Sequence, residues 1–314
     1  MDIKPLELHT EWYRTRYYVE EGRILPIPGA KVETYSPFEY YERENAGIVG
    51  ESLHIQFANR DFSSNKRIEE FCNTWGILGL GHRKLFAPWY AKPLEEGMEK
   101  YRIKTSLPPG VHGRKIEPWN YAEPVEEFLR EAMLFRWALL AGSALRENNE
   151  EEQRRLLAEI TGGKAEGDAG LVEEQLLTMY LQQVNAHLDY VRPCLVGVIG
   201  EGEFYNILQW RFSSLLDALY MMLVLDFQKE RYIKVCRSTT CQKIFVTDRQ
   251  DKVYCSEKCA ENQANRDYRE RERKRKQQAL EMWEEGKSIE KIAEVLMVST
   301  EKVRKWLNQK EGGN

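Results

Sequence analysis

Four cysteines fall within 24 residues near the C-terminal end of the chain: Cys236, Cys241, Cys255 and Cys259. Four, thirteen and three residues separate them in turn. Two close pairs joined by a short excursion can bring four thiolates onto a tetrahedron around one zinc ion, with bonds of about 2.3 Å. In a reducing compartment such a cluster favours metal over disulfides. Four protein thiolates fill the coordination shell, so the zinc expected here is structural and leaves no open position for a reaction. The other two cysteines, Cys72 and Cys194, stand alone and read as small buried hydrophobes.

The elements that would position these thiols are visible on either side. Ile244–Val246 and Lys252–Tyr254 are β-rich and flank a polar turn, Asp248-Arg-Gln-Asp251, which predicts a hairpin between the cysteine pairs. Ser256 can cap a following helix, whose positive end favours thiolates at Cys255 and Cys259. The arrangement resembles a treble-clef zinc ribbon. Beyond Cys259, seven of the eleven residues from Arg266 to Lys276 are basic. On a helix, Arg266, Arg269 and Arg273 share a side suited to a phosphate backbone, with Lys274 and Lys276 beside them. The interleaved Asp267, Glu270 and Glu272 equally allow a salt-bridged, solvated helix.

A second helical pattern begins at Gln277. Ala279, Leu280 and Trp283 make one apolar face, and Gly286 ends it. Ser288 caps a helix with Ile289, Ile292, Ala293 and Leu296 inward, and Val298-Ser299 turn the chain into a third helix carrying Val303, Trp306 and Leu307. The opposite side of that last helix displays Glu301, Arg304, Lys305 and Asn308, side chains that could reach base edges in a major groove, and Lys302 is counted with Arg304, Lys305 and Asn308 among the DNA-contacting residues. A plain helical hairpin that caps the protein or mediates oligomerisation is the alternative.

Two family resemblances follow from these residues. Cys236-x4-Cys241, Phe245 two residues after Lys243, Tyr254-Cys255-Ser256, Cys259 and the Arg-rich helix resemble the CGNR-type zinc finger. That finger is found C-terminal to a mostly helical domain in bacterial stress-induced transcription regulators. Leu53–Leu80 resembles the N-terminal domain of the same family more weakly. The signature itself is absent, since Ala260-Glu261-Asn262 follow Cys259. The last three helices resemble a resolvase- and transposase-type helix-turn-helix, with Ala293 where two helices cross and Met297 where that family usually has Gly.

The rest of the chain bounds the reading. The net charge of −4 averages two unlike parts, because residues 229–314 hold 21 Lys and Arg against 15 Asp and Glu, and residues 1–228 hold 25 against 35. A basic segment on an acidic body is the asymmetry expected where one part meets nucleic acid. No apolar run is long enough for a membrane helix and the N-terminus lacks a secretory pattern, so a cytoplasmic protein is expected. Leu53–Asn59 reads as a short strand or the start of a buried helix. Ile68, Phe71, Cys72 and Trp75 have helical spacing that Gly76 or Gly79 would end. Helices are expected from Glu123, over 171–191 and over 204–230, with Pro124 in the first turn of the first. The five histidines (His9, His54, His82, His112, His187) show no ligand or triad spacing, and no catalytic residue is assigned.

The expectation is a mainly α chain: a helical N-terminal domain with minor β over 1–230, a zinc ribbon with basic helix over 231–276, and a three-helix helix-turn-helix over 277–310. Its partner would be DNA, its cofactor zinc and its role transcription regulation. The N-terminal domain would serve as a sensor of a small molecule or protein, or as a homodimerisation module. RNA binding through the ribbon and basic helix stays open, as does an enzyme with its site in the aromatic-rich first 120 residues.

Overall fold

The computed structural model describes residues 12–42, 52–81, 122–163, 165–200 and 203–311. The chain divides into two compact units, Met1–Lys234 with Ile244–Asp251, and Val235–Lys243 with Lys252–Asn314. The first unit opens with short strands, β1 (Trp12–Arg14), β2 (Tyr17–Glu20), β3 (Arg23–Pro26) and β4 (Glu33–Tyr35). β2 and β3 form a hairpin across Glu21 and Gly22, whose φ angles of 47° and 72° match the left-handed pair that a two-residue turn needs.

A one-turn helix, α1 (Glu39–Glu42), is followed by α2 (Leu53–Asn59) and α3 (Asn65–Trp75). Leu53–Asn59 is therefore helical and buries Leu53, His54, Ile55, Phe57 and Ala58; packing on both sides overrides the alternation. In α3 the residues read as a face, Ile68, Phe71, Cys72 and Trp75, are the buried ones. The helix stops at Gly76, where φ is 87° and a Cβ would lie 2.3 Å from the Tyr13 carbonyl oxygen, so only glycine fits.

Glu123 and Pro124 form β5, which pairs with Arg23 and Ile24 of β3, so α4 (Val125–Arg146) begins after Pro124, not with it in the first turn. The buried Glu123 carboxylate accepts the backbone N–H groups of Leu78, Gly79 and Leu80 at 3.0, 2.5 and 2.7 Å. α5 (Glu150–Thr161) is capped by Asn149 and ends at left-handed Gly162; α6 (Ala169–Leu188) is capped by Asp168.

The helix expected over 204–230 is two elements. β6 (Arg192–Gly200) and β7 (Glu203–Arg211) form a nine-pair antiparallel ribbon, and α7 (Leu215–Gln228) starts only at the Ser214 cap. Phe204-Tyr205, Ile207 and Trp210 are residue types that a pleated strand accommodates well, and the pairing with β6 decides the matter. The core gathers Phe57, Phe71, Phe128, Phe135 and Tyr220 from α2, α3, α4 and α7, with centroids of neighbouring rings 5–6 Å apart. Among the described residues, no helix is long and apolar enough to cross a membrane.

In the second unit, α8 (Glu257–Glu284), α9 (Ile289–Leu296) and α10 (Thr300–Glu311) surround a small core of their own: Ala279, Ile292, Ala293, Leu296, Val303, Trp306 and Leu307. Met282 packs against it, while Trp283 is 48% exposed, so the inward face of α8 runs through Ala279 and Met282 and not through Trp283. α8 runs unbroken for 28 residues through the basic stretch and into the core. Met297 ends α9 with φ 51° and ψ 49°, the left-handed geometry that glycine adopts most easily.

Candidate metal centre and nucleic-acid interface

The ribbon next to the cysteines is β8 (Tyr232–Val235) paired with β9 (Ile244–Thr247). Lys252–Tyr254 is not a strand, so the partner of Ile244–Thr247 lies before the first cysteine and not after the polar turn. The reason is anchorage. The Asn59 side-chain amide bonds both main-chain groups of Ile244, at 2.7 and 2.8 Å, and Ser143 Oγ donates to the Ile233 carbonyl. Both strands are thereby held on the helices of the first unit.

From the end of β8 the chain makes a tight knuckle. The Cys236 N–H bonds the Lys243 carbonyl at 2.8 Å, the Ser238 carbonyl accepts from Cys241, and Gln242 takes a left-handed φ of 49°. Arg237 N–H donates to the Val253 carbonyl at 2.9 Å, which draws the second cysteine pair alongside. Ser256 caps α8 by accepting from Cys259 N–H at 3.2 Å, as the sequence suggested. Gln263, one turn further, accepts the N–H and hydroxyl of Thr239 and so stitches helix to knuckle.

These contacts bring all four thiols together, with the sulfurs within 4.8 Å of one another. Cys255 Sγ lies 3.6 Å from the sulfurs of both Cys241 and Cys259. Sulfurs at the corners of a tetrahedron with 2.3 Å bonds are about 3.8 Å apart, so the cluster has the size of a four-thiolate metal site. Burial, aided by the neighbouring thiols, pushes the Cys255 thiol up to about 12, while the Ser256 side chain beside Cys259 pulls that thiol down. Four sulfurs packed so closely cannot all ionise without a cation among them. Cys255 N–H also points at the sulfur of buried Cys236, at 3.5 Å.

A sulfur-only donor set, a knuckle and a capped helix define a metal-binding zinc finger. A family model for the CGNR zinc finger matches residues 232–272, the span from β8 through the first half of α8. No curated protein and no solved structure matches the chain.

The basic residues singled out in the sequence occupy different settings. Arg266 donates to the Thr239 hydroxyl at 3.1 Å, and Lys274 pairs with Glu270 at 2.9 Å. Arg269 is exposed. Arg273 and Lys276 of α8 meet Lys302 and Lys305 of α10 along one open cleft of about 600 Å³, which Ser299, Glu272, Glu301 and Trp306 complete. Lys302 is held there by Glu272 at 2.8 Å and lies over the Trp306 ring. Arg304 and Asn308 are exposed on α10.

The first unit holds polar groups that sequence spacing missed. His54 and Asp226, 172 residues apart, are both fully buried and lie 2.7 Å from each other; Arg231 reaches the other oxygen of Asp226 at 3.3 Å. His187 stacks on Tyr220 at 3.9 Å with Asp217 beside it at 3.5 Å. His9, His82 and His112 lie outside the described residues. No local signal marks these pairs, because each is made by helices distant in sequence.

Proposed function

We infer that this chain binds double-stranded DNA with sequence preference, as a transcription regulator. Its metal is zinc in a structural role, the shell being filled by Cys236, Cys241, Cys255 and Cys259. One observation carries the reading: four cations from two helices, Arg273, Lys276, Lys302 and Lys305, line one cleft in the unit that holds the metal centre. A groove with several Lys and Arg amid few carboxylates attracts a polyanion and releases its counterions. In the same unit the capped α9, the turn at Val298-Ser299 and α10 resemble a helix-turn-helix, with Arg304, Lys305 and Asn308 on the outward side of the last helix. The first unit then acts as a sensor or oligomerisation module, with no catalytic role assigned.

The test is selection of bound sequences from a random duplex pool by the full-length protein, with RNA as competitor. Enrichment of a sequence, and a log–log salt slope of about −0.9 per phosphate contacted, is the expected result. Preferential capture by RNA, or no retained nucleic acid at low salt, overturns it.

A further inference from the structure

We propose that β7 is a dimer edge: a second copy of this chain lays its own β7 antiparallel on it, making one sheet in the order β6-β7-β7-β6 across a two-fold axis. The proposal rests on the oligomerisation role inferred for the first unit and stands whether or not the second unit binds DNA.

Among the described residues, β6 and β7 form a two-stranded sheet that no other strand joins. The pairs run from Arg192 opposite Arg211 to Gly200 opposite Glu203, about 30 Å of ribbon at roughly 3.4 Å per residue. At its base the Ser213 hydroxyl donates to the Tyr190 carbonyl at 3.3 Å. From Pro193 to Gly200 and from Phe204 to Trp210 the ribbon has no charged residue. A two-stranded ribbon is marginal by itself in water, and a long uncharged edge is a template for another strand.

The two edges are not equivalent. Pro193 has no N–H, so a ladder tolerates it where that position faces away from β7, on the outer edge of β6. There it deletes a donor and blunts the edge. Pro193 stands opposite Trp210, and the ladder alternates, so the main-chain groups of Phe204, Asn206, Leu208 and Trp210 are the outward ones on β7. No proline or glycine interrupts Glu203–Arg211. β7 is the edge that can take a strand.

The strand that fits it is another β7. Its charges stand at its two ends only, Glu203 and Arg211, and they are of opposite sign. With the two-fold axis at Ile207, full antiparallel overlap sets Glu203 opposite the partner's Arg211, and Arg211 opposite the partner's Glu203. The outward main-chain groups of both strands then meet in hydrogen-bonded pairs, about eight bonds in all. Glu203 and Arg211 fall in the non-hydrogen-bonded pairs, where opposed residues come closest and unlike charges stabilise. A parallel pairing in register would oppose Glu203 to Glu203 and Arg211 to Arg211. Antiparallel β6 on β6 would leave Arg192 opposite Gly200.

The experiment is sedimentation of the full-length protein over a range of concentrations, where a dimer is expected. Glu203→Arg alone and Arg211→Glu alone should each weaken that dimer by about ten-fold or more, by facing like charges across the axis. The double variant should recover to within about three-fold of the parent, since the exchange restores unlike pairs. Ile207→Cys, which meets its own copy on the axis, should give a covalent dimer under mild oxidation, whereas Asn206→Cys, opposite the partner's Leu208, should not. Unchanged circular dichroism shows that each variant is folded. A parent that stays monomeric, single reversals that leave the dimer intact, or a double variant no better than the singles overturns the proposal. A monomer that still selects a duplex overturns the dimer and keeps the DNA reading. A charge-swappable dimer that retains no duplex upholds the dimer and overturns the DNA reading.

Discussion

Glu123 shows how much one buried side chain can decide. Burial pushes its carboxyl up to about 7, although the three N–H groups of Leu78, Gly79 and Leu80 pull the other way. Between its ordinary value of 4.5 and about 7, the folded chain holds a proton that the unfolded chain has released. Stability should therefore rise as pH falls from 8 toward 5, by on the order of 2–3 kcal/mol from this group. Melting curves at pH 8 and 5.5 measure it, and Glu123→Gln should flatten the difference; parallel curves for the two proteins would show that the proton is elsewhere. The buried Asp226 makes a second case, since it serves both His54 and Arg231. Asp226→Ala should cost about 3–5 kcal/mol in denaturant unfolding, because it takes the carboxylate from fully buried His54 and one of the acidic partners from Arg231. At the metal centre, Cys255→Ser should lower bound zinc from about one equivalent per chain to a small fraction, read by metal analysis. A variant that retained full metal would remove Cys255 from the shell.

Among the elements, the ones with strong local punctuation were readable without a structure. Ser256 and Ser288 cap the helices they were expected to cap, Gly76 ends α3, and Ile292, Ala293, Leu296, Val303, Trp306 and Leu307 form the small core. Where pairing partners decide, local pattern failed. Phe204–Arg211 is apolar enough for helix or strand, and only its partner β6 selects strand. Ile244–Thr247 was readable as a strand, but its pairing with Tyr232–Val235 depends on Asn59, almost two hundred residues earlier. The end of α9 offers a direct test. Met297 is 89% exposed in a left-handed conformation, so its side chain adds steric cost without burying much surface. Met297→Gly should raise the stability of the second unit by about 0.5–1 kcal/mol, the strain relieved exceeding the chain entropy glycine loses on folding. Slower hydrogen exchange in α9 and α10 is the readout, and faster exchange would mean that Met297 is not strained.

For the molecule as a whole, the charge asymmetry visible in the sequence has a structural counterpart in the basic cleft of the second unit. If the last helix reads bases, truncation after Lys276 should abolish preference for the selected site while metal binding persists; an unaltered preference would transfer the reading role to the knuckle. The division into units cuts through the finger itself: the strands β8 and β9 go with the first unit apart from Val235, and all four thiols go with the second. The polypeptide thus leaves the first unit after Lys234, returns at Ile244 and leaves again after Asp251. During synthesis the first unit cannot be completed when its last helix emerges from the ribosome. It must wait for a segment made after the first two metal ligands, with Asn59 unable to reach Ile244 until then. A nascent chain that has emerged only as far as Lys243 is consequently missing part of its first unit, and one that has emerged just past Asp251 has that unit whole and only two of the four clustered cysteines.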